Sequence, residues 1–311
     1  MNKEKNFMSA VVYVHNAADR IQAFLESLAD VLENNFMKSE IICVNDNSSD
    51  NSVAIIKEFS KNTKNTTISV LNLSYFHGLE MAMNAGVELS IGDFVLEFDN
   101  TVLDFDKNEI MKVYYKSLEG YDIVSASPNK KQKFTSNLFY SIFDRFSNIS
   151  YKIYTESFRV LSRRVINRIG SMTTHIPYRK AVYANCGLKT TNIKYDVVNN
   201  VQSNKDKKEE QYRTGLAVDT LILFTEVGYK FSVTMTAVMM VVAVFMAVYS
   251  LAVYMMSIPV AGWTTTILFL SFAFFGLFAI LTVVIKYLQI IVNLVFKKKQ
   301  YSFEGIEKLT K

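Results

Sequence analysis

Glu40 to Asp50, E-I-I-C-V-N-D-N-S-S-D, is an apolar, β-branched run that stops abruptly in small polar and acidic residues. The pattern predicts a buried strand that delivers Asp46 into the loop at its carboxyl end. Ligands of open α/β sheets bind beyond the carboxyl ends of the strands, so this stretch predicts one wall of a binding site.

Working outward, residues 8–128 alternate between strand and helix patterns. Met8 to Val14 is an apolar run, and Ala18 to Asn34 places Ile21, Phe24, Leu25, Leu28 and Leu32 on one helical face. After Asp46, Ser48 or Ser49 can cap a helix carrying Val53, Ile56 and Phe59. Further strands are expected at Thr67 to Leu73, Asp93 to Phe98 and Tyr121 to Ala126, with helices at Gly78 to Leu89 and Asp106 to Leu118. This βαβα order predicts an α/β domain built on a mostly parallel sheet with helices on both faces. The strand ending at Phe98 also runs into an acid, Asp99. Acids gathered at a sheet edge bind a base or ribose by hydrogen bonds, or hold a divalent ion that bridges phosphates. A single such acid is also what a turn or a cap uses; two in register say more.

The 311 residues suffice for one large domain and a second element, and 50% of them are hydrophobic, concentrated toward the C-terminus. The net charge of +5 is spread through an ordinary acid–base mix with no basic helix or stripe, which argues against nucleic acid as a partner. Cys43 and Cys186 are the two cysteines, too few for a cysteine zinc site, and Cys43 inside a strand pattern reads as a core thiol. The first ten residues lack a signal-peptide pattern, so the main domain is expected in the cytoplasm. Two uncharged apolar runs, 231–256 and 264–285, each exceed the ~20 residues that cross a bilayer. The link between them holds Pro259, Gly262 and Trp263 and no lysine, whereas Lys230, Lys286 and Lys297 to Lys299 lie outside. A transmembrane hairpin with both ends in the cytoplasm is expected, in an inner or cytoplasmic membrane. The expected organisation is a cytoplasmic domain over 1–210, an amphipathic juxtamembrane helix over 211–230, two spans, and a basic tail over 286–311. Small hairpins of this kind associate, so a homo-oligomer is also expected.

V-V-Y-V-H-N (11–16), E-I-I-C-V-N-D-N-S-S-D (40–50), F-H-G-L-E-M-A-M-N-A-G (76–86), I-G-D-F-V-L-E-F-D (91–99) and S-F-R-V-L-S-R-R-V-I (157–166) follow one another in an order that resembles glycosyltransferase family 2. With the hairpin, the chain is most similar to membrane-anchored polyprenyl-phosphate hexose synthases. The resemblance implies a GT-A (Rossmann-like) domain that takes a hexose from a UDP- or GDP-sugar and transfers it, with inversion, to a polyprenyl phosphate for cell-surface glycan assembly. It implies that Asp46 meets the nucleoside and that Asp99 faces the donor and a Mg2+ or Mn2+ ion. It also implies that Arg159, the arginine of the F-R-L segment, is catalytic and able to pair with phosphate oxygens. The sequence departs from the family pattern at several points. The family's D-x-D reads Asp99-Asn100-Thr101, Asn45 and Asn47 replace an acid and a glycine, and Ala17 and Ala18 replace acids. Asp104 or Asp106 could supply a replacement ligand, or cap the helix that follows. These departures define the alternative, a catalytically degraded relative acting as a membrane scaffold or partner subunit. Phe134 to Tyr154 carries aromatics at helical spacing, suited to a core or to a lipid surface.

Overall fold

The computed structural model describes residues 3–63, 65–130, 155–172, 178–198, 207–224 and 303–308, together with Ser141, Phe143, Arg145 and helical residues scattered between 228 and 291. It divides into two compact units: Met1–Asp144, Ile149–Leu216 and Lys298–Lys311 form the first, Arg145–Asn148 and Ala217–Lys297 the second.

The first unit opens β1 (Met8–Val14), α1 (Ile21–Asn35), β2 (Ser39–Asn45), α2 (Ser52–Ser60), β3 (Thr66–Leu73), α3 (Leu79–Leu89), β4 (Phe94–Phe98), α4 (Asn108–Leu118) and β5 (Ile123–Pro128). These match the expected order closely. Every residue of β1 is buried, as a strand covered on both faces requires. Ala10, Val12 and Val14 join one core with Phe24, Leu28 and Phe98, while Val11 and Tyr13 join a second with Val44, Leu71 and Met83. The period of two therefore splits the core between the faces of one sheet. Then come β6 (Phe158–Ser162), α5 (Arg163–Met172), α6 (Arg179–Asn185), β7 (Thr190–Tyr195), α7 (Lys207–Phe224) and β8 (Phe303–Lys308).

The strand order is β7-β5-β6-β4-β1-β2-β3-β8. Pairs β4-β1-β2-β3 and β5-β7 are parallel; β6 lies antiparallel to both β4 and β5. β6 inserts between β4 and β5. One feature departs from the sequence expectation: the segment expected as a basic tail carries β8, which pairs antiparallel with β3. Without that partner the flank of β3 would be an open row of N–H and C=O groups, the template for unwanted pairing.

Because β4, β1 and β2 run parallel, Phe98 and Asn45 end at the same edge with β1 between them. Two strand spacings put the loops of Asp46 and Asp99 about 10 Å apart. Cys43 and Cys186 are buried free thiols.

Most of Phe134 to Tyr154 falls outside the described residues, and so, in the second unit, do the expected spans for the most part. The described residues between 228 and 291 are helical. The Cα of Gly276 faces Met239 and Met235, and that of Gly228 faces Tyr287. Contacts that climb one run therefore descend the other, the pattern of an antiparallel helix pair. Phe231, Val241, Phe245, Leu270, Phe274, Leu277, Leu281, Leu288 and Ile291 are all exposed. Among the described residues no helix is long and apolar enough to cross a membrane.

Candidate active site

Asp46 follows β2 directly and is 0% exposed. Its Oδ1 accepts from the backbone N–H of His77 at 2.7 Å, and its Oδ2 accepts from the N–H of Gly78 at 2.8 Å and from the Tyr13 hydroxyl at 3.0 Å. His15 Nδ1 donates to the Asp46 carbonyl at 2.7 Å. Asp46 thus clamps the loop between β3 and α3 onto the end of β2. Around it stand aromatic rings: His15 lies 4.9 Å from Phe76, and the exposed Tyr75 stacks on His77 at 4.0 Å.

The departures from the family's D-D-G-S pattern keep the turn. Asn47 has φ +53°, a left-handed conformation that asparagine tolerates better than other side-chain-bearing residues. Asn45 donates to Asn72 Oδ1 at 2.9 Å and accepts from the Ser48 N–H at 3.0 Å. Ala17 and Ala18 donate their backbone N–H groups to Ser52 and Asp50 at 2.9 Å, so the two loops are stitched by backbone and short side chains.

At the end of β4, Asp99 lies within a buried ionic network. Arg159 sits directly opposite Glu97 in the β4–β6 register. Its Nη1 donates to Glu97 at 2.6 Å, its Nη2 to Asp99 at 2.9 Å and its Nε to Glu156 at 3.0 Å. Arg179, the first residue of α6, donates through Nη2 to the other Asp99 oxygen at 2.7 Å. Through both its Nε and its backbone N–H it donates to Glu80 at 2.9 Å. Glu80 stands in the first turn of α3, where the helix dipole favours an anion. Tyr183 donates to Glu97 Oε1 at 2.8 Å, and Arg179 Nη1 reaches the same oxygen at 2.9 Å without hydrogen-bond alignment. Arg159 is 1% exposed and Arg179 0%.

Burial alone would push the Asp99 carboxyl up; the Arg159 and Arg179 guanidiniums, with Lys180 behind them, outweigh it and hold the group well below its ordinary 3.8. Burial and the Glu97 carboxylate push the Tyr183 phenol well up, so it remains a donor. A carboxyl whose folded pKa is depressed contributes stability at neutral pH and loses it as the pH falls below the ordinary value toward the folded one. Asp99→Asn is therefore expected to lower the urea midpoint at neutral pH and to narrow its gap to wild type below about pH 4. Parallel loss of stability in both proteins over that window would contradict this role.

The structure brings Asp46, Asp99 and Arg159 to one edge of the sheet. Arg159 reaches carboxylates with all three guanidinium nitrogens rather than presenting an open fork. Asp104 accepts from Tyr195 at 2.7 Å, and Asp106 accepts from the Asn108 N–H at the start of α4, so neither turns toward Asp99. Glu80, Glu97, Glu156, Arg179 and Tyr183 were not picked out in the sequence. A signal existed for Glu97 alone, a charge in the middle of the buried strand F-V-L-E-F.

The donor set does not fit the Mg2+ or Mn2+ ion that the resemblance implies. A hard dication seeks several anionic oxygens. Here both oxygens of Asp99 face guanidiniums, and the second D-x-D position is Thr101, whose Oγ1 accepts from Arg20 Nε at 2.9 Å. Among the described residues no three His, Cys, Asp or Glu side chains gather where they could hold a metal.

The model of the glycosyl transferase family 2 matches residues 9–173. An uncharacterized glycosyltransferase of Synechocystis is 30% identical over 195 residues, 61% of this chain and 60% of that protein. A prophage bactoprenol glucosyl transferase homolog of Escherichia coli K12 is 25% identical over 194 residues, 60% of this chain and 62% of that one. An undecaprenyl-phosphate 4-deoxy-4-formamido-L-arabinose transferase of Proteus mirabilis is 29% identical over 127 residues, 41% and 38% of the two chains. The chain spans about 60% of the length of the Synechocystis and Escherichia coli relatives. The crystal structure of glucosyl-3-phosphoglycerate synthase from Mycobacterium tuberculosis with Mn2+, UDP-glucose and phosphoglyceric acid has the same GT-A-like fold, with a TM-score of 0.51 at 12% identity over 70% of this chain and 79% of that one. With its family model covering more than half of its length, the chain belongs to glycosyl transferase family 2.

Proposed function

We propose that this protein is a membrane-bound inverting glycosyltransferase that moves a sugar from a nucleoside-diphosphate donor to a polyprenyl phosphate. One observation carries the reading. In a family 2 chain, the loop clamped by Asp46 and the ionised Asp99 stand on either side of β1 at the carboxyl edge of the sheet. The aromatic rings around Asp46 suit a nucleobase, and Asp99, held in place by Arg159 and Arg179, suits a hydroxyl of the donor sugar. Relatives named for bactoprenol and undecaprenyl phosphate support the acceptor class.

In the reaction an acceptor phosphate oxygen attacks the anomeric carbon. The bond from that carbon to the donor diphosphate breaks, and the nucleoside diphosphate leaves with the electron pair. The acceptor oxygen is already anionic, so no side chain has to remove a proton. What remains for the protein is to align the reactants and stabilise the departing charge. Asp99 would orient the sugar from a position fixed by Arg159 and Arg179.

The apolar, uncharged runs 231–256 and 264–285 would anchor the protein in the cytoplasmic membrane as a hairpin, with the site on the cytoplasmic side. The exposed apolar side chains described along these runs suit lipid better than water. A second reading, a non-catalytic relative serving as a membrane scaffold, draws on the full occupation of the Asp46 and Asp99 carboxylates. Full-length protein in detergent, given undecaprenyl phosphate and a panel of UDP- and GDP-sugars, is expected to yield a lipid-linked sugar visible by mass spectrometry. Absence of product across the panel, with nucleotide binding also absent, would leave the scaffold.

A further inference from the structure

We infer that this site neutralises the donor's diphosphate with Arg20, where a D-x-D site would use a divalent cation. The inference rests on the nucleotide-sugar reading above and deepens it.

The topology places Arg20 centrally. β1 lies between β2 and β4, so the loop that follows it, which ends at Arg20 before α1, stands between the loops of Asp46 and Asp99. The guanidinium of Arg20 is joined to the D-x-D segment itself through its bond to Thr101 Oγ1, at the residue where a second carboxylate would hold metal. A guanidinium held beside the position of a lost acid favours an anion there where the carboxylate would have favoured a cation. The side chain is 19% exposed, enough to meet a ligand. Its other contact is to Asp19 at 2.9 Å, a residue 72% exposed that an incoming diphosphate can displace at little cost. Arg159 and Arg179 complete the argument from the other side. Their guanidiniums occupy both Asp99 oxygens, which leaves that carboxylate committed to them rather than open to a metal. A guanidinium matches phosphate oxygens in bidentate geometry and stays charged at any working pH.

The test is calorimetric titration of the full chain in detergent with UDP and with GDP, in EDTA and in excess Mn2+. For whichever nucleotide binds, affinity is expected to agree within about twofold between the two conditions, and Arg20→Ala is expected to weaken it about tenfold or more, the loss of one charge-assisted contact. UMP or GMP, with one phosphate fewer, should lose less. Arg20→Lys, which retains the charge, should keep part of the affinity and serves if Arg20→Ala does not fold, as judged by circular dichroism. Binding by the natural chain that needs Mn2+, or an Arg20→Ala variant that binds as before, would each overturn the assignment. Failure of both nucleotides to bind in every condition would instead remove the nucleotide-sugar reading on which the inference rests.

Discussion

Arg159→Met is expected to destabilise the first unit by about 3–5 kcal/mol, the cost of removing one partner from a buried ionic cluster. The methionine fills most of the arginine's volume, so the loss isolates charge rather than packing. In the native network two guanidiniums serve four carboxyl side chains, Glu80, Glu97, Asp99 and Glu156, and Arg159 reaches three of them. After substitution Glu156 loses its bond, and Glu97 and Asp99 share Arg179, whose Nη1 is already misaligned toward Glu97. Desolvation of a stranded carboxylate outweighs any gain from the apolar replacement. At about 2–4 °C per kcal/mol for a domain of this size, the melting midpoint should fall by roughly 6–20 °C. Arg159→Lys should recover less than half of the loss, because one ammonium on a flexible stem cannot meet three carboxylates in a planar fork. A midpoint within a degree or two of the natural protein for Arg159→Met would show that the cluster is not held as described. The same variant bears on function, since Asp99 would lose one of the two groups that fix its position.

The network also shows where sequence reading succeeds and where it stops. β1 to β4 were legible because each is a short apolar run closed by turn residues, and a period of two or of 3.6 needs only neighbours to be seen. The common edge of Asp46 and Asp99 followed from the parallel order. Glu97 stood out in principle, since a strand buried on both faces does not carry a lone charge without a partner. Its partner, however, is set by the antiparallel register of β6, and stands 62 residues later on a strand that inserts between β4 and β5. Arg179 and Glu80 meet across a separation of 99 residues and leave no trace in any local pattern. The β8 strand is similar: six residues with no strong alternation find their place only because β3 presents an unpaired edge. Asp46 is the instructive case. The sequence marked its position correctly, yet whether its oxygens face a ligand or the chain depends on two backbone N–H groups in the 76–78 loop, and only the fold brings them there.

Gly78→Ala is expected to cost about 2–5 kcal/mol and to abolish nucleotide binding, for two separable reasons. The first is backbone. Gly78 has φ +85° and ψ 163°, a region open to glycine and strained for any residue with a Cβ. Its N–H is also one of the donors that Asp46 holds, so relaxation of the backbone would release that clamp. The second is space. An added Cβ would stand 2.3 Å from the ring of Tyr212, which reaches this loop from α7 and makes an edge contact with Phe76. Tyr212 can be truncated, and this separates the terms. In a Tyr212→Ala background the clash disappears, and Gly78→Ala should then cost only the backbone part, about 1–3 kcal/mol. The coupling between the two substitutions, read from urea unfolding of the four proteins, measures the steric part directly. Additive costs would mean that the tyrosine ring does not lie on the glycine. A neutral Gly78→Ala would mean that the loop is not held in this conformation, and with it would go the account of Asp46 as the residue that shapes the nucleotide side of the site.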